Sequence, residues 1–312
     1  MGWNGSLSAS SAVGAAITYT PDTTTEGGYT VGAFTAPKKG VYVFQIKGSG
    51  GSINGPHSDG VYSAGGTGGF TTGYLLLENG QTVYVGAGGP CSAAFVSAVN
   101  ASALKDVTPA NLRFVAGGGG GGGAQWGQQW NMKSGPGGNG GGTTGAAGPG
   151  GGVDGLPGSG GTQSSGYGYG HGGGGGYSNN GDSSLHAGRG GDGYYGGTGA
   201  TGSQGGGGGS GYIYAASITV GSKTYTNATQ QGGGAGSNTA GSVTVIYYAR
   251  AELPVIFNGT TLERLVFNGV EVESLIYDGT RLFMRRLRNA AQNCITAWRH
   301  GAHFLRNQRA YA

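Results

Sequence analysis

The chain has 312 residues, of which 77 are Gly and only 10% are charged, well under the usual quarter. So little charge excludes a solvated, highly charged disordered protein. The two cysteines, Cys91 and Cys294, lie far apart without a CxxC spacing, which excludes a disulfide framework and a zinc site. The net charge of +4 is uneven: seven Arg and no acid follow residue 280, so subtracting that +7 leaves −3 for residues 1–280.

Tyr, Thr, Val, Ser and Gly dominate outside the C-terminus, which is a β composition. No run of about 18 apolar residues marks a membrane span, and no basic-then-apolar leader opens the chain. Met1-Gly2 with Ser6 fits a myristoylation pattern, which needs a eukaryotic host. Residues 1–27 open with MGWNGS and run without charge to Tyr19, so an extended N-terminal arm is expected. MGWNGS resembles the opening peptide of tailed-phage fibre proteins.

Residues 28–249 carry the main domain. Tyr42, Phe44 and Ile46 alternate with Val43, Gln45 and Lys47 after a Pro37–Gly40 turn, as in a strand with one buried face. The segment Phe34–Ile46, FTAPKKGVYVFQI, resembles a strand pair of jelly-roll domains of the complement and tumour-necrosis-factor type. Gly68–Pro90 predicts two strands in a hairpin around Asn79-Gly80. Leu112, Phe114 and Val115 predict a strand that runs straight into the glycines. Beyond them, Tyr212–Tyr214 begins a strand, Ile218–Val220 and Lys223–Tyr225 flank a Gly221-Ser222 turn, and Ser242–Tyr248 closes the domain.

Between these strands lies Gly117–Gly211, in which 46 of 95 residues are Gly, beginning with seven in a row. Glycine has no side chain to bury and loses the most backbone freedom on ordering, so a flexible linker is one reading. Spacing points to another. Gly142, Gly145, Gly148 and Gly151 recur every third residue, as do Gly152, Gly155, Gly158 and Gly161, and then Gly199, Gly202 and Gly205. Three is the period of the polyproline II helix, and glycine along one edge lets neighbouring backbones approach closely. The runs are too short for a collagen register. They predict a bundle of short polyglycine II helices, inserted at 117–211 into a jelly-roll-like β-sandwich. The features GVYVFQIKGSGG, GGF…GYLLLENGQTVYVGAGG, the glycine blocks and the closing GSVTVIYY resemble the glycine-rich domain family of anaplastic-lymphoma-type receptor kinases and of many phage and bacterial surface proteins.

A β-hairpin-repeat domain is expected over 250–283, on a ten-residue repeat that runs over 256–285: IFNGTTLERL, VFNGVEVESL, IYDGTRLFMR. Asn258-Gly259, Asn268-Gly269 and Asp278-Gly279 are hairpin turn signals. A unit this small must stack on its neighbours or on another chain. NGVEVESLIYDGT resembles short C-terminal modules of phage tail-associated proteins. Residues 284–312 predict a basic amphipathic helix: Met284, Leu287, Ala291, Cys294, Trp298 and Leu305 form one face, and Arg285, Arg288, Arg299, Arg306 and Arg309 the other. Leu287, Cys294, Trp298, Arg285, Arg288 and Arg299 are the expected docking residues, for a homotrimer or a partner protein. An anionic surface or nucleic acid is the alternative for this helix, and a tail without specific role the third.

No GxSxG, HExxH, P-loop or paired-carboxylate motif appears, and the histidines lack ligand-like spacing. Gly188–Gly193 with Asp192 echoes a calcium-binding glycine repeat once, and a plain loop is the reading preferred. No enzyme, cofactor or metal is expected. What remains is recognition. Trp126, Trp130, Tyr167, Tyr169, His171, Tyr177, Tyr194 and Tyr195 are rigid aromatic or imidazole groups set among glycines. Such groups on turns suit a binding surface; wedging between glycine helices is the competing role for each. Together the resemblances imply a virion protein, a phage fibre or tail-tip adhesin that presents this surface to a host glycan or outer-membrane protein. A head fibre, decoration protein or tail-tip connector using the bundle as a rigid spacer is the alternative. Expected partners are other copies of the chain and other virion structural proteins, not nucleic acid.

Overall fold

The computed structural model describes residues 2–22, 25–53, 61–125, 134–152, 155–175 and 185–250, with six short strands between 255 and 281. The chain divides into two units, Met1–Glu252 and Leu253–Ala312. The protein is mainly β. Among the described residues, the 3-10 turn Leu104–Asp106 is the one helical element. The helix expected over 284–312, with Arg285, Leu287, Arg288, Cys294, Trp298 and Arg299, lies outside the described residues.

In the first unit the strands are β1 (Trp3–Asn4), β2 (Ala16–Tyr19), β3 (Tyr29–Thr35), β4 (Gly40–Lys47), β5 (Val61–Tyr62), β6 (Gly69–Leu77), β7 (Thr82–Gly88), β8 (Ala94–Ser97) and β9 (Leu112–Ala116). Next come β10 (Ala124–Gln125), β11 (Leu185–His186), β12 (Tyr212–Ile213), β13 (Ser217–Val220), β14 (Lys223–Thr226), β15 (Ala228–Gly233) and β16 (Ser242–Arg250). Two antiparallel sheets dominate, in the orders β1-β2-β16-β4-β6-β15 and β12-β9-β8-β7-β3. Their facing sides share one core. Ile17, Tyr19, Tyr42, Phe44, Ile46, Val243, Val245 and Tyr247 come from the first sheet, and Phe34, Val83, Val85, Val96 and Phe114 from the second. The period of two along β4 and β16 makes this possible, because alternate residues point to one face. Where two large groups would collide, one sheet gives way: a β-carbon on Gly73 would stand 2.4 Å from the Phe114 ring.

Two expectations are corrected. Residues 16–19 are not a free arm: β2 pairs with both β1 and β16, and Ile17 and Tyr19 are core residues. The Ile17/Tyr19 alternation was a strand signal masked by small neighbours. The Asn79-Gly80 turn does not close a hairpin. Gly80 has φ +79, as that dipeptide favours, but β6 pairs with β4 while β7 pairs with β3. The turn carries the chain from one sheet to the other, and Leu77 and Val83 enter the shared core on either side of it. In the same way β3 and β4, flanking Pro37–Gly40, belong to different sheets.

The outer face of the five-stranded sheet carries a second, smaller core: Ala93, Phe95, Leu104, Val107, Leu112 and Val115, with Tyr29, Val31, Tyr194 and Tyr212 packed against it. This layer positions the candidate site.

The glycine stretch is ordered by hydrogen bonds between segments distant in sequence. Gly118 and Gly121 donate to the carbonyls of Asp192 and Arg189, Gly119 and Gly122 to those of Ser49 and Ser52, and Gly120 and Gly123 to those of Gly138 and Gly135. Each neighbouring segment therefore receives every third N–H. The same step of three joins Gly135, Gly138 and Gly141 to Ser203, Gly206 and Gly209, and Gly158 and Gly161 to Gly205 and Gly208. Residues 117–123 and 202–211 are buried at every position, whereas over 145–161 burial returns at Gly145, Gly148, Gly158 and Gly161. A β-carbon on Gly120 would lie 2.2 Å from the Gly206 oxygen, and one on Gly207 2.0 Å from that of Ser159.

In the second unit, three hairpins follow the repeat. They are β17 (Val255–Phe257) with β18 (Thr260–Leu262), β19 (Val266–Phe267) with β20 (Val270–Glu271), and β21 (Ile276–Tyr277) with β22 (Thr280–Arg281). Phe257↔Thr260, Phe267↔Val270 and Tyr277↔Thr280 are paired, the register that the three Asn/Asp-Gly dipeptides predict.

Candidate functional site

Edge strand β12 begins the site. It pairs with β9 so that Tyr212 faces Val115 and Ile213 faces Phe114. The ladder continues one residue further, where the Tyr214 N–H donates to the Arg113 carbonyl at 2.8 Å. Alternation sends Ile213 toward the shared core and leaves Tyr212 and Tyr214 on the outer face with Arg113. The Arg113 guanidinium lies over the Tyr214 ring, 4.8 Å from its centroid.

Two glycine segments add to this row. Tyr194 stacks on Tyr212, with centroids 4.4 Å apart and planes 13° from parallel. Tyr195 meets Tyr194 edge-on at 5.5 Å, and Tyr169 meets both. Tyr169 comes from a tight turn closed by a bridge between Gly168 and His171. Gly170 makes that turn possible: its φ is +75, and a β-carbon there would lie 2.4 Å from Lys105 Cα. The Tyr169 hydroxyl donates to the Val107 carbonyl, which ties the turn to the loop before β9. Burial, with Tyr194, Tyr212 and Tyr195 adding to it, pushes the Tyr169 phenol up to about 12. Burial likewise raises Tyr212, against the pull of Arg113. Tyr167 and His171 flank the turn, ring to ring at 5.5 Å, and His171 Nδ1 lies 3.0 Å from the Tyr169 carbonyl.

The expected residues therefore divide. Tyr167, Tyr169, His171, Tyr194 and Tyr195 come together, while Trp126, Trp130 and Tyr177 lie outside the described residues. Within the group, Tyr169, Tyr194 and Tyr195 are half-buried packing partners, and Tyr167 and His171 are exposed. Sequence reasoning passed over Tyr212, Tyr214 and Arg113. Aromatics two apart on an edge strand, opposite an arginine, were the available signal. Tyr167 and Tyr214 offer the open surface, at 57% and 58% exposure.

Asp192 has a structural place. Its carboxylate accepts from the Gly172 N–H, the Tyr29 hydroxyl and Arg189 Nη2, at 2.7, 2.8 and 2.8 Å. Its backbone joins Gly118 and Cys91. It thus pins glycine segments to β3, and burial raises its carboxyl against the pull of Arg189. Among the described residues no group of three His, Cys, Asp or Glu is placed to hold a metal ion.

A second aromatic group, Tyr74, Tyr225 and Tyr248, sits on the six-stranded sheet, where the three rings meet one another at 5.3–5.8 Å. It fastens the β13–β14 hairpin to that sheet. Comparison with protein-family models and with curated proteins returned no match for the chain.

Proposed function

We propose that this chain is a non-catalytic virion fibre or tail-tip protein that presents the tyrosine row for attachment to a host cell surface. The observation that carries the proposal is that exposed Tyr167 and Tyr214 stand at ordered neighbours of one aromatic row: Tyr167 meets the His171 ring of the Tyr169 turn, and Tyr214 lies under the Arg113 guanidinium two residues from Tyr212, while Tyr212, Tyr194 and Tyr169 pack ring on ring. Rigid phenols whose backs are packed bind with little ordering cost. We infer further that the glycine segments form a polyglycine II bundle on a jelly-roll-like sandwich. Donors that reach the same neighbour at every third residue support this, because such helices bond between rather than within themselves. A homotrimer is the proposed assembly, since a lone two-stranded hairpin is marginal in water and each repeat here pairs within itself. The basic segment after residue 280 is the proposed contact with other virion proteins.

The rival reading, a rigid structural spacer, draws on the face-to-face use of Tyr194 and Tyr212 as packing. Binding of labelled protein to a panel of bacterial cells separates the two. A Tyr167→Ser/Tyr214→Ser variant with an unchanged melting temperature is expected to lose binding. Equal binding by this variant favours the spacer.

A further inference from the structure

We propose that the tyrosine row recognises an acidic polysaccharide, with Arg113 taking a sugar carboxylate and the exposed phenols stacking on neighbouring sugars of the same chain. The inference rests on the attachment reading above and names its ligand class. Arg113 is half-buried and held in place: Nη1 donates to the carbonyls of Ala110 and Leu112, at 3.1 and 3.3 Å. The Tyr214 ring supports the guanidinium from one face. No carboxylate among the described residues pairs with it. Lys105, beside the Tyr169 turn, is matched by Asp106 at 4.0 Å, whereas Arg113 has no such partner among the described residues. Its remaining N–H edge is a planar fork, which suits the planar carboxylate of a uronic or sialic acid. Phenol faces suit the apolar faces of pyranose rings, and Tyr214, beside Arg113, is the exposed phenol placed to stack on the sugar next to the bound carboxylate, with the Tyr212, Tyr194 and Tyr195 rings packed in a row beyond it.

The test uses the full chain and four immobilised probes: hyaluronan, polygalacturonate, alginate and polysialic acid, each beside its carboxyl-reduced form, with poly(glycerol phosphate) as a phosphodiester control. Retention on at least one acidic polymer is expected, at least about tenfold stronger than on its reduced form, and weakened by added salt. Arg113→Gln should abolish that difference, and Arg113→Lys should restore part of it. Tyr214→Ser should weaken binding to both forms. Equal retention on acidic and reduced polymers overturns the charge assignment but leaves a neutral-glycan attachment site. Retention on the phosphodiester alone, unaltered binding by Arg113→Gln, or no retention on any probe overturns the proposal. Cell binding that persists in that last case leaves the attachment reading standing with a protein receptor. A fold lost in Arg113→Gln is detected by its melting curve, and Arg113→Lys then carries the comparison.

Discussion

Substituting Gly148 by Ala distinguishes a packed bundle from a linker by the sign of the effect. Gly148 is absent from the positive-φ glycines, so alanine suits its backbone. In a flexible linker the change would stabilise the protein by about 0.4–1 kcal/mol, by restricting the unfolded chain. In the packed segment the new β-carbon would lie 2.2 Å from the Gly205 oxygen and 2.9 Å from its carbon. The backbones must separate by roughly an ångström to reach ordinary contact. Two bonds are strained by that movement, Gly148 N–H to Gly158 O and Gly158 N–H to Gly205 O, both 2.9 Å. Overpacking costs about 1–3 kcal/mol and each weakened bond up to about 1 more. The expected loss is therefore about 1–5 kcal/mol, or roughly 2–20 °C in melting temperature for a unit of this size. Calorimetry on Gly148→Ala and on Ala147→Val, at the exposed position one residue before, provides the assay. Ala147→Val should leave melting nearly unchanged. A Gly148→Ala protein as stable as wild type, or more stable, refutes the packed segment.

Three other predictions follow from the described residues. Asp192→Asn should cost about 3 kcal/mol in denaturant unfolding, because it leaves the Arg189 guanidinium, 21% exposed, without its carboxylate. Cys91 is buried and its thiol is pushed up to about 12, first by burial and then by Glu26, so native protein should resist thiol reagents at pH 8 at this residue in a Cys294→Ser background. Folded-state values above the unfolded ones mean stability is complete below the unfolded thiol at about 8.5 and is lost as pH rises through about 12. Melting temperature should fall over that window, and Cys91→Ala should flatten the early part of the fall. Finally, sedimentation of the full chain should give a trimer at micromolar concentration; a monomer refutes the assembly inferred from the repeats.

How much the sequence revealed varied with whether the signal was local. Strands β4 and β16 were legible because Tyr42, Phe44 and Ile46, and Val243, Val245 and Tyr247, alternate cleanly. The sheet to which each strand belongs was not legible: a turn such as Asn79-Gly80 fixes a reversal of the chain, and only long-range packing decides whether it ends in a hairpin or a crossing. The glycine spacing carried more than was first read from it. Segments surrounded by backbone on all sides, 117–123 and 205–209, are glycine without interruption, whereas over 145–161 burial returns at Gly145, Gly148, Gly158 and Gly161, and the less buried Gly155 and Gly160 also leave no room for a β-carbon. The site was half legible. Tyr167, Tyr169, Tyr194 and Tyr195 stood out against glycine, but Arg113 and Tyr214 looked like ordinary strand residues until the β9–β12 register set them opposite each other.

The central claim is that the exposed tyrosines on a rigid glycine scaffold form an attachment surface. Its most direct test is quantitative cell binding by the Tyr167→Ser/Tyr214→Ser protein beside a Tyr74→Ser/Tyr248→Ser protein, both checked for folding and oligomeric mass. The first pair should reduce binding at least about tenfold and the second should leave it unchanged. Wild-type binding by the first pair, or an equal loss in both, would contradict the claim.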